Sequence, residues 1–432
     1  MIVFRKFLSG KIKFDSSVVE HLTFALSLIN ETTALSKLLE QCMPGIFSRV
    51  ERWNTMALCC DDVTALNLLK KSLHPHESPD DVTALLLAAK LCSGDVRLAE
   101  EGAQRAKRAI VAAETDQLKG AAFRFLGLCL SKLGQASSSD GERSRLQAEA
   151  LKALDTAVAL DPQNSDLVLE LGFQYAQQRN LKSALRCAKK YMDSTSGCSV
   201  EGWMFLALVL SAQQRFSEAE VVTDAAIDET GIFEQAPLLK LKAKLKLLQM
   251  EPNEAIESYR NLLALVQTQK MSRKVEDDTN KEFEAWEGLA ELYARLEHWN
   301  DVAVCLDKAR ELSPSSAHLC YIEGNMHRKR GDNERAFGTC INGLFVDPGY
   351  VPCKVLLGAI LSERGDNALP VARSFLTDAL RTEPTSRTGW YHLGMIHKND
   401  GRLSEAVDCF QAASMLDESE PAENFSSIFQ LN

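Results

Sequence analysis

The sequence predicts an all-α solenoid, in which antiparallel helix pairs stack into a right-handed superhelix. Three observations lead there. Leu and Ala dominate a chain whose aromatic content is only 7%, a composition that favours helix over sheet. Small residues recur at fixed spacing in stretches such as "WYHLGMIHKNDGRLSEAVDCFQAA" at 390–413. The landmarks also repeat, because Pro314 and Pro348 lie 34 residues apart, as do Gly324 and Gly358.

The 390–413 stretch supplies the frame. Trp390, Leu393, Gly394 and His397 fill a W-x-x-L-G-x-x-Y pattern on a first helix. Ala406, Phe410 and Ala413 fill A-x-x-x-F-x-x-A on a second, and "NDGRLS" between them stops one helix and starts the next. A helix pair with this spacing and period is the tetratricopeptide repeat. Its small positions let paired backbones approach closely, and Trp, Leu, Tyr and Phe fill the space between neighbours. Each pair leaves an apolar face bare until the next covers it, so such an array is stable only as a stack.

Taken in order, residues 1–119 read as degenerate helical repeats. Trp53 and Ala57 begin one pair, but Ala65 follows Ala57 after eight residues where the frame allows twelve. Residues 80–113 give a further pair, with Ala88 and Ala99. Eight framed repeats follow between about residues 120 and 420. They centre on Gly127 with Ala150, Gly172 with Ala184, Trp203 with Ala219, and a weaker copy on Ala243 with Ala255. Trp286 with Ala309, Gly324 with Ala336, Gly358 with Ala372, and Gly394 with Ala406 complete the series. Two insertions break the period, "GQASSSDGERSR" near 134–146, read as a polar loop, and the charged "QTQKMSRKVEDDTNKE" at 267–282. Residues 421–432 read as a C-terminal tail.

Composition narrows the function. A net charge of −10 disfavours nucleic acid as a partner. The twelve cysteines include no C-x-x-C pair, so a structural zinc site is not expected. His74 and His76 in "HPHESP" have no third ligand in view, and no phosphate loop, nucleophile elbow or HExxH motif occurs. His327 and His397 take the Tyr slot of their repeats, and His392 is expected on a helix surface. No catalytic site, cofactor or metal is expected. The opening residues lack the apolar core of a signal peptide, and no apolar run reaches the ~18 residues of a membrane span. A cytoplasmic protein with reduced thiols is the resulting expectation.

Function then rests on exposed faces. First-helix residues beside the small position point into the groove of such a solenoid. Phe173, Met204 and Leu208 form an apolar stretch fit for a partner helix. Lys240 and Lys244 come next, then Glu287 and Glu291, expected to pair with them, then Tyr321, Asn325 and Tyr391. Chaperone adaptors hold a partner's terminal carboxylate with cations at such places, and the two glutamates argue against that mode here. "PLLKLKAKLKLLQM" at 237–250 alternates leucines with Lys240, Lys242, Lys244 and Lys246, the pattern of a calmodulin target, although Ala243 also fits the repeat frame. "FRKFLSGKIKF" at 4–14 is a second basic candidate.

Several stretches together are similar to one family. "VVEHLTFALSL", "ERWNTMALCC" with "VTALNLLKKSL", "ARSFLTDALRTEP" and the terminal "EAVDCFQAASMLDESEP" resemble the plant No Pollen Germination-related proteins. These are similar in turn to the animal tetratricopeptide repeat protein seven group. The resemblance covers essentially the whole chain. It implies a helical scaffold in the complex that holds a type III alpha phosphatidylinositol 4-kinase at the inner face of the plasma membrane. Implied partners are the kinase, a hyccin-type helical subunit, a lipid-anchored membrane scaffold and, for the plant members, calmodulin. Family members are usually longer, so it also implies that an amino-terminal half is absent from this chain.

Overall fold

The computed structural model describes residues 21–24, 26, 32–41, 48–137, 139–272, 277–365 and 368–431, and all regular structure among these is helical. The chain divides into two compact units, Met1–Leu167 and Val168–Asn432.

In the first unit the helices are α1 (Thr32–Gln41), α2 (Arg49–Ala57), α3 (Asp62–Ser72), α4 (Val82–Gly94), α5 (Ala99–Ala112), α6 (Asp116–Ala136) and α7 (Asp140–Leu160). A reciprocal capping box between Ser48 and Glu51 starts α2. The short link to α3 closes with the Asp61 side chain accepting from the Thr64 amide. Helix α6 rests on both α4 and α5. A Cβ at Gly102 would lie 2.6 Å from Cys92 Cβ and 2.7 Å from Cys129 Sγ, so glycine sets the distance there. The first framed pair is thus packed with the degenerate repeats before it. The compact units part after Leu167.

The expected polar loop at 134–146 is mostly helix. Helices α6 and α7 are each 21 residues long, and they take up the insertion by growing. Arg143 explains the stability of their joined ends. It is buried, donating from Nε to the Gly134 carbonyl at 3.3 Å and from Nη2 to the Ser137 carbonyl at 2.7 Å.

The second unit continues with α8 (Ser165–Gln177), α9 (Leu181–Thr195), α10 (Val200–Ala212), α11 (Phe216–Glu229), α12 (Ala236–Leu248) and α13 (Pro252–Ser272). It goes on with α14 (Asp277–Arg295), α15 (Trp299–Leu312), α16 (Ala317–Lys329), α17 (Asn333–Val346) and α18 (Val351–Glu363). Helices α19 (Leu369–Thr382), α20 (Arg387–Asn399) and α21 (Leu403–Asp417) follow, then a 3-10 segment, Phe425–Leu431. The 267–282 insertion again lengthens helices, since α13 and α14 run into it from both sides, and residues 273–276 lie outside the described set.

The small frame positions are contact points. A Cβ at Gly172 would meet Phe205 Cε1 at 2.8 Å, at Gly324 Cys340 Sγ at 2.8 Å, at Gly358 Leu376 Cγ at 2.6 Å, and at Gly394 Phe410 Cε1 at 2.8 Å. In the first unit, one at Gly127 would meet Leu154 Cγ at 2.7 Å. Ala406 is buried likewise, and Trp286 packs on the core around Leu289 and Leu306. The frame's other two tryptophans share a polar role. Trp203 Nε1 donates to the Gly197 carbonyl at 2.7 Å and Trp390 Nε1 to the Pro384 carbonyl at 2.8 Å, each pinning the turn before its own helix. Between first and second helices the chain turns through a left-handed residue, at Arg179, Gln214, Met250 and Glu297 and then at Gly331, Gly365 and Gly401. The geometry recurs whether or not glycine is present.

Candidate functional site: a lysine-lined wall and the segment docked on it

Helix α12 lies at the centre of the site. Leu238, Leu241 and Leu245 are fully buried, because both neighbouring pairs cover that face. All four lysines have partners. Lys242 Nζ is 2.7 Å from Asp224, and Lys246 Nζ is 2.7, 2.8 and 2.6 Å from Glu220, Glu251 and Glu254. Lys240 reaches Glu284 at 2.9 Å and Glu423 at 3.2 Å, and Lys244 reaches Glu423 at 3.0 Å. The stretch read as a calmodulin target is therefore a core helix of the stack. Three of its stripe leucines, Leu238, Leu241 and Leu245, are inside, Leu248 at its end is 38% exposed, and its cations are used. The other basic candidate, 4–14, lies outside the described residues.

Pairing differs from the sequence expectation. Lys240 takes Glu284 in place of Glu287, and Glu291 takes Arg295 from its own helix at 2.9 Å. The substitution follows from register, since Glu284 stands one helical turn before Glu287 on α14. Burial pushes the Glu287 carboxyl up to about 7, Glu284 and Glu291 add to the effect, and Lys240 and Lys244 oppose it. Beside this cluster His318 Nδ1 lies 2.5 Å from the Tyr350 hydroxyl, and burial draws the imidazole below its ordinary value.

The carboxylate between Lys240 and Lys244 comes from the end of the chain. Within the stretch read as a C-terminal tail, residues 421–428 pack on the array, for Phe425 is only 3% exposed and Ile428 is fully buried. Their 3-10 segment packs on α10. The Ala422 amide donates to Ser211 Oγ at 3.0 Å, and Gln214 Nε2 donates to the Asp417 carbonyl at 3.1 Å. Arg179 Nη1 donates to the Ser419 carbonyl at 2.6 Å, and its guanidinium stands 6.0 Å from the Phe425 ring centre. Burial raises the Glu423 carboxyl, but Lys244 and Lys240 outweigh it and hold the group below the usual carboxylate range. Arg179 and Gln214 are both left-handed turn residues, so the frame's turns double as anchors.

The apolar candidates fare differently. Phe173, Met204 and Leu208 are buried, Met204 against Ala226 and Leu238, so they form packing and not a free patch. Tyr321 is half-buried, joining the apolar clusters on either side of α16, with Glu291 near its hydroxyl. Asn325 is half-buried on the same helix. Tyr391 is 49% exposed and leans on Phe410, its ring centre 5.8 Å away. His392, expected on the surface, is half-buried, and burial with Arg328 nearby brings its imidazole down to about 4. The structure thus gathers Lys240, Lys244, Glu287, Glu291 and Tyr321, and adds Arg179, Ser211, Gln214, Glu423 and Phe425, which sequence reading missed. The one available signal was the pair of apolar residues, Phe425 and Ile428, in a stretch read as tail.

Among the described residues no group of three His, Cys, Asp or Glu side chains is placed to hold a metal ion, and no helix is long and apolar enough to cross a membrane.

Comparison with known proteins agrees with this architecture. A family profile described as tetratricopeptide repeat matches residues 388–420. Protein NPG1 of Arabidopsis thaliana is 57% identical over 444 residues, covering 99% of this chain and 63% of that protein. By sequence this chain belongs with the No Pollen Germination-related proteins. Human tetratricopeptide repeat protein 7B is 26% identical over 96% of the chain and 57% of its own length. The chain therefore spans about three-fifths of the curated relatives it matches. Among solved structures, that of Ypp1 superposes with a TM-score of 0.62 at 14% identity, over 99% of this chain and 65% of that one, a likeness of fold. This family member is thus an all-α tetratricopeptide repeat protein.

Proposed function

We propose that the chain is a non-catalytic scaffold subunit of a phosphatidylinositol 4-kinase complex, held at the inner face of the plasma membrane through its partners. The kinase, a hyccin-type helical subunit and a lipid-anchored scaffold are the proteins it would join. The observation that carries this reading is the 57% identity to NPG1 along 99% of the chain, together with the relation to tetratricopeptide repeat protein 7B over 96% of it. The fold suits the role, because each helix pair offers side chains to partners while the pair-to-pair packing fixes their relative positions. The test is affinity purification of the tagged chain from source tissue, with and without calcium. Recovery of the kinase and the hyccin-type subunit in both conditions is expected. Turnover of a phosphoinositide by the isolated chain, or recovery without either subunit, would refute it.

A further inference from the structure

Residues 417–428, from the end of α21 into the 3-10 segment, are held in the manner of a bound peptide. Three contacts recognise only main chain: Gln214 on the Asp417 carbonyl, Arg179 on the Ser419 carbonyl, and Ser211 on the Ala422 amide. Such bonds do not depend on the side chains of the segment they hold. Three others read side chains, and they stand in a fixed register. Glu423 sits between Lys240 and Lys244, Phe425 beneath Arg179, and Ile428 in full burial. The wall therefore specifies a carboxylate, an aromatic ring two residues on, and an aliphatic group three further.

We propose that this wall is a peptide-docking site whose external ligand is an acidic segment of a partner protein carrying that register, and that the chain's own last residues guard it. When the segment leaves, Lys240 keeps Glu284, Met204 keeps Ala226 and Leu238, and Lys244 loses Glu423, which leaves a cation ready for an incoming carboxylate. The internal segment and the partner segment compete for the same cations, and the apparent affinity for the partner falls by the fraction of chains in which the wall is covered. The inference does not depend on which complex the chain joins.

The probe is a fluorescein-labelled synthetic peptide of residues 417–432, added to the full chain and followed by anisotropy. The Glu423→Ala/Phe425→Ala chain is expected to bind it at least about tenfold more tightly than the parent chain, because the internal competitor is weakened. Adding Lys240→Ala and Lys244→Ala should abolish that gain, and peptides with Glu423→Gln or Phe425→Ala should fail to compete. Should the Lys-to-Ala chain not fold, a Lys244→Glu chain that prefers a Glu423→Lys peptide gives the same answer by charge exchange. Equal affinity of parent and opened chains, both folded by circular dichroism, would overturn the proposal. So would a parent dimer in sedimentation that dissociates on Glu423→Ala/Phe425→Ala, since the wall would then serve exchange between two copies.

Discussion

Lys244 Nζ lies 3.0 Å from Glu423 Oε1, and this contact joins the middle of the repeat array to its final residues. Glu423 is 10% exposed at the side chain, a depth at which an unpaired carboxylate would be costly. Lys240 shares the same oxygen at 3.2 Å, so two cations offset the burial of one anion. The wall's chemistry was written in α12, while the group that satisfies it lay outside the repeat frame.

Glu287 gives a pH test in the same cluster. Its carboxyl is raised to about 7 in the folded chain from an ordinary value near 4.5, so the penalty is absent below about 4.5 and complete above about 7. Glu287→Gln should therefore stabilise the chain at pH 8, by on the order of 1–3 kcal/mol, and leave it unchanged at pH 4.5. Glu423, depressed by Lys244 and Lys240, has the opposite sign, its contribution being present above the ordinary carboxylate value and lost as pH falls. Thermal unfolding of parent and variant at the two pH values separates them. A gain at pH 4.5 would count against the assignment.

Glycines in the array should respond by position. Gly394→Val puts atoms into the Phe410 ring and should cost about 1–3 kcal/mol. Gly338 lies inside α17 with nothing within 4 Å of an added Cβ, so Gly338→Ala should gain up to about 1 kcal/mol from helix propensity. Urea denaturation of both variants checks the opposite signs.

Met250 holds a left-handed backbone, φ 64°, and is 86% exposed. Met250→Gly should relieve strain at no packing cost, raising stability by about 0.5–1 kcal/mol, read as a shift of the urea midpoint. No gain, or a loss, would mean that the turn is not strained.

Lys246 gathers three carboxylates and is the most heavily used cation of α12. Lys246→Met keeps the stem but leaves Glu220, only 18% exposed, without its cation and held by Gln249 alone at 2.8 Å. A loss of about 1–3 kcal/mol is expected, and 0.5 M salt should not remove it as it would a surface pair. Equal stability of variant and parent would place the group among surface ion pairs of little consequence.

Legibility followed range. The helix pairs, their small positions and the tryptophans were readable because each depends on neighbours within one 34-residue period. Gly394 against Phe410 is such a case. The insertion at 134–146 misled because Ser, Asp and Gly favour turns locally, whereas Arg143 supplies carbonyl partners that let both helices continue. Glu284 was missed for Glu287 because one helical turn separates them, and register decides between them. Glu423 could not be found by period at all, since its partners lie far back in the chain.

The anchoring of Asp417 and Ser419 on Gln214 and Arg179 also bears on how this array can change by descent. An open stack tolerates the duplication or loss of a unit, since each meets only its neighbours. Here, removing or adding one pair between α12 and α20 would carry the chain's end away from the turns that hold it. Copy number in this stretch is thereby fixed by a stitch between its two ends.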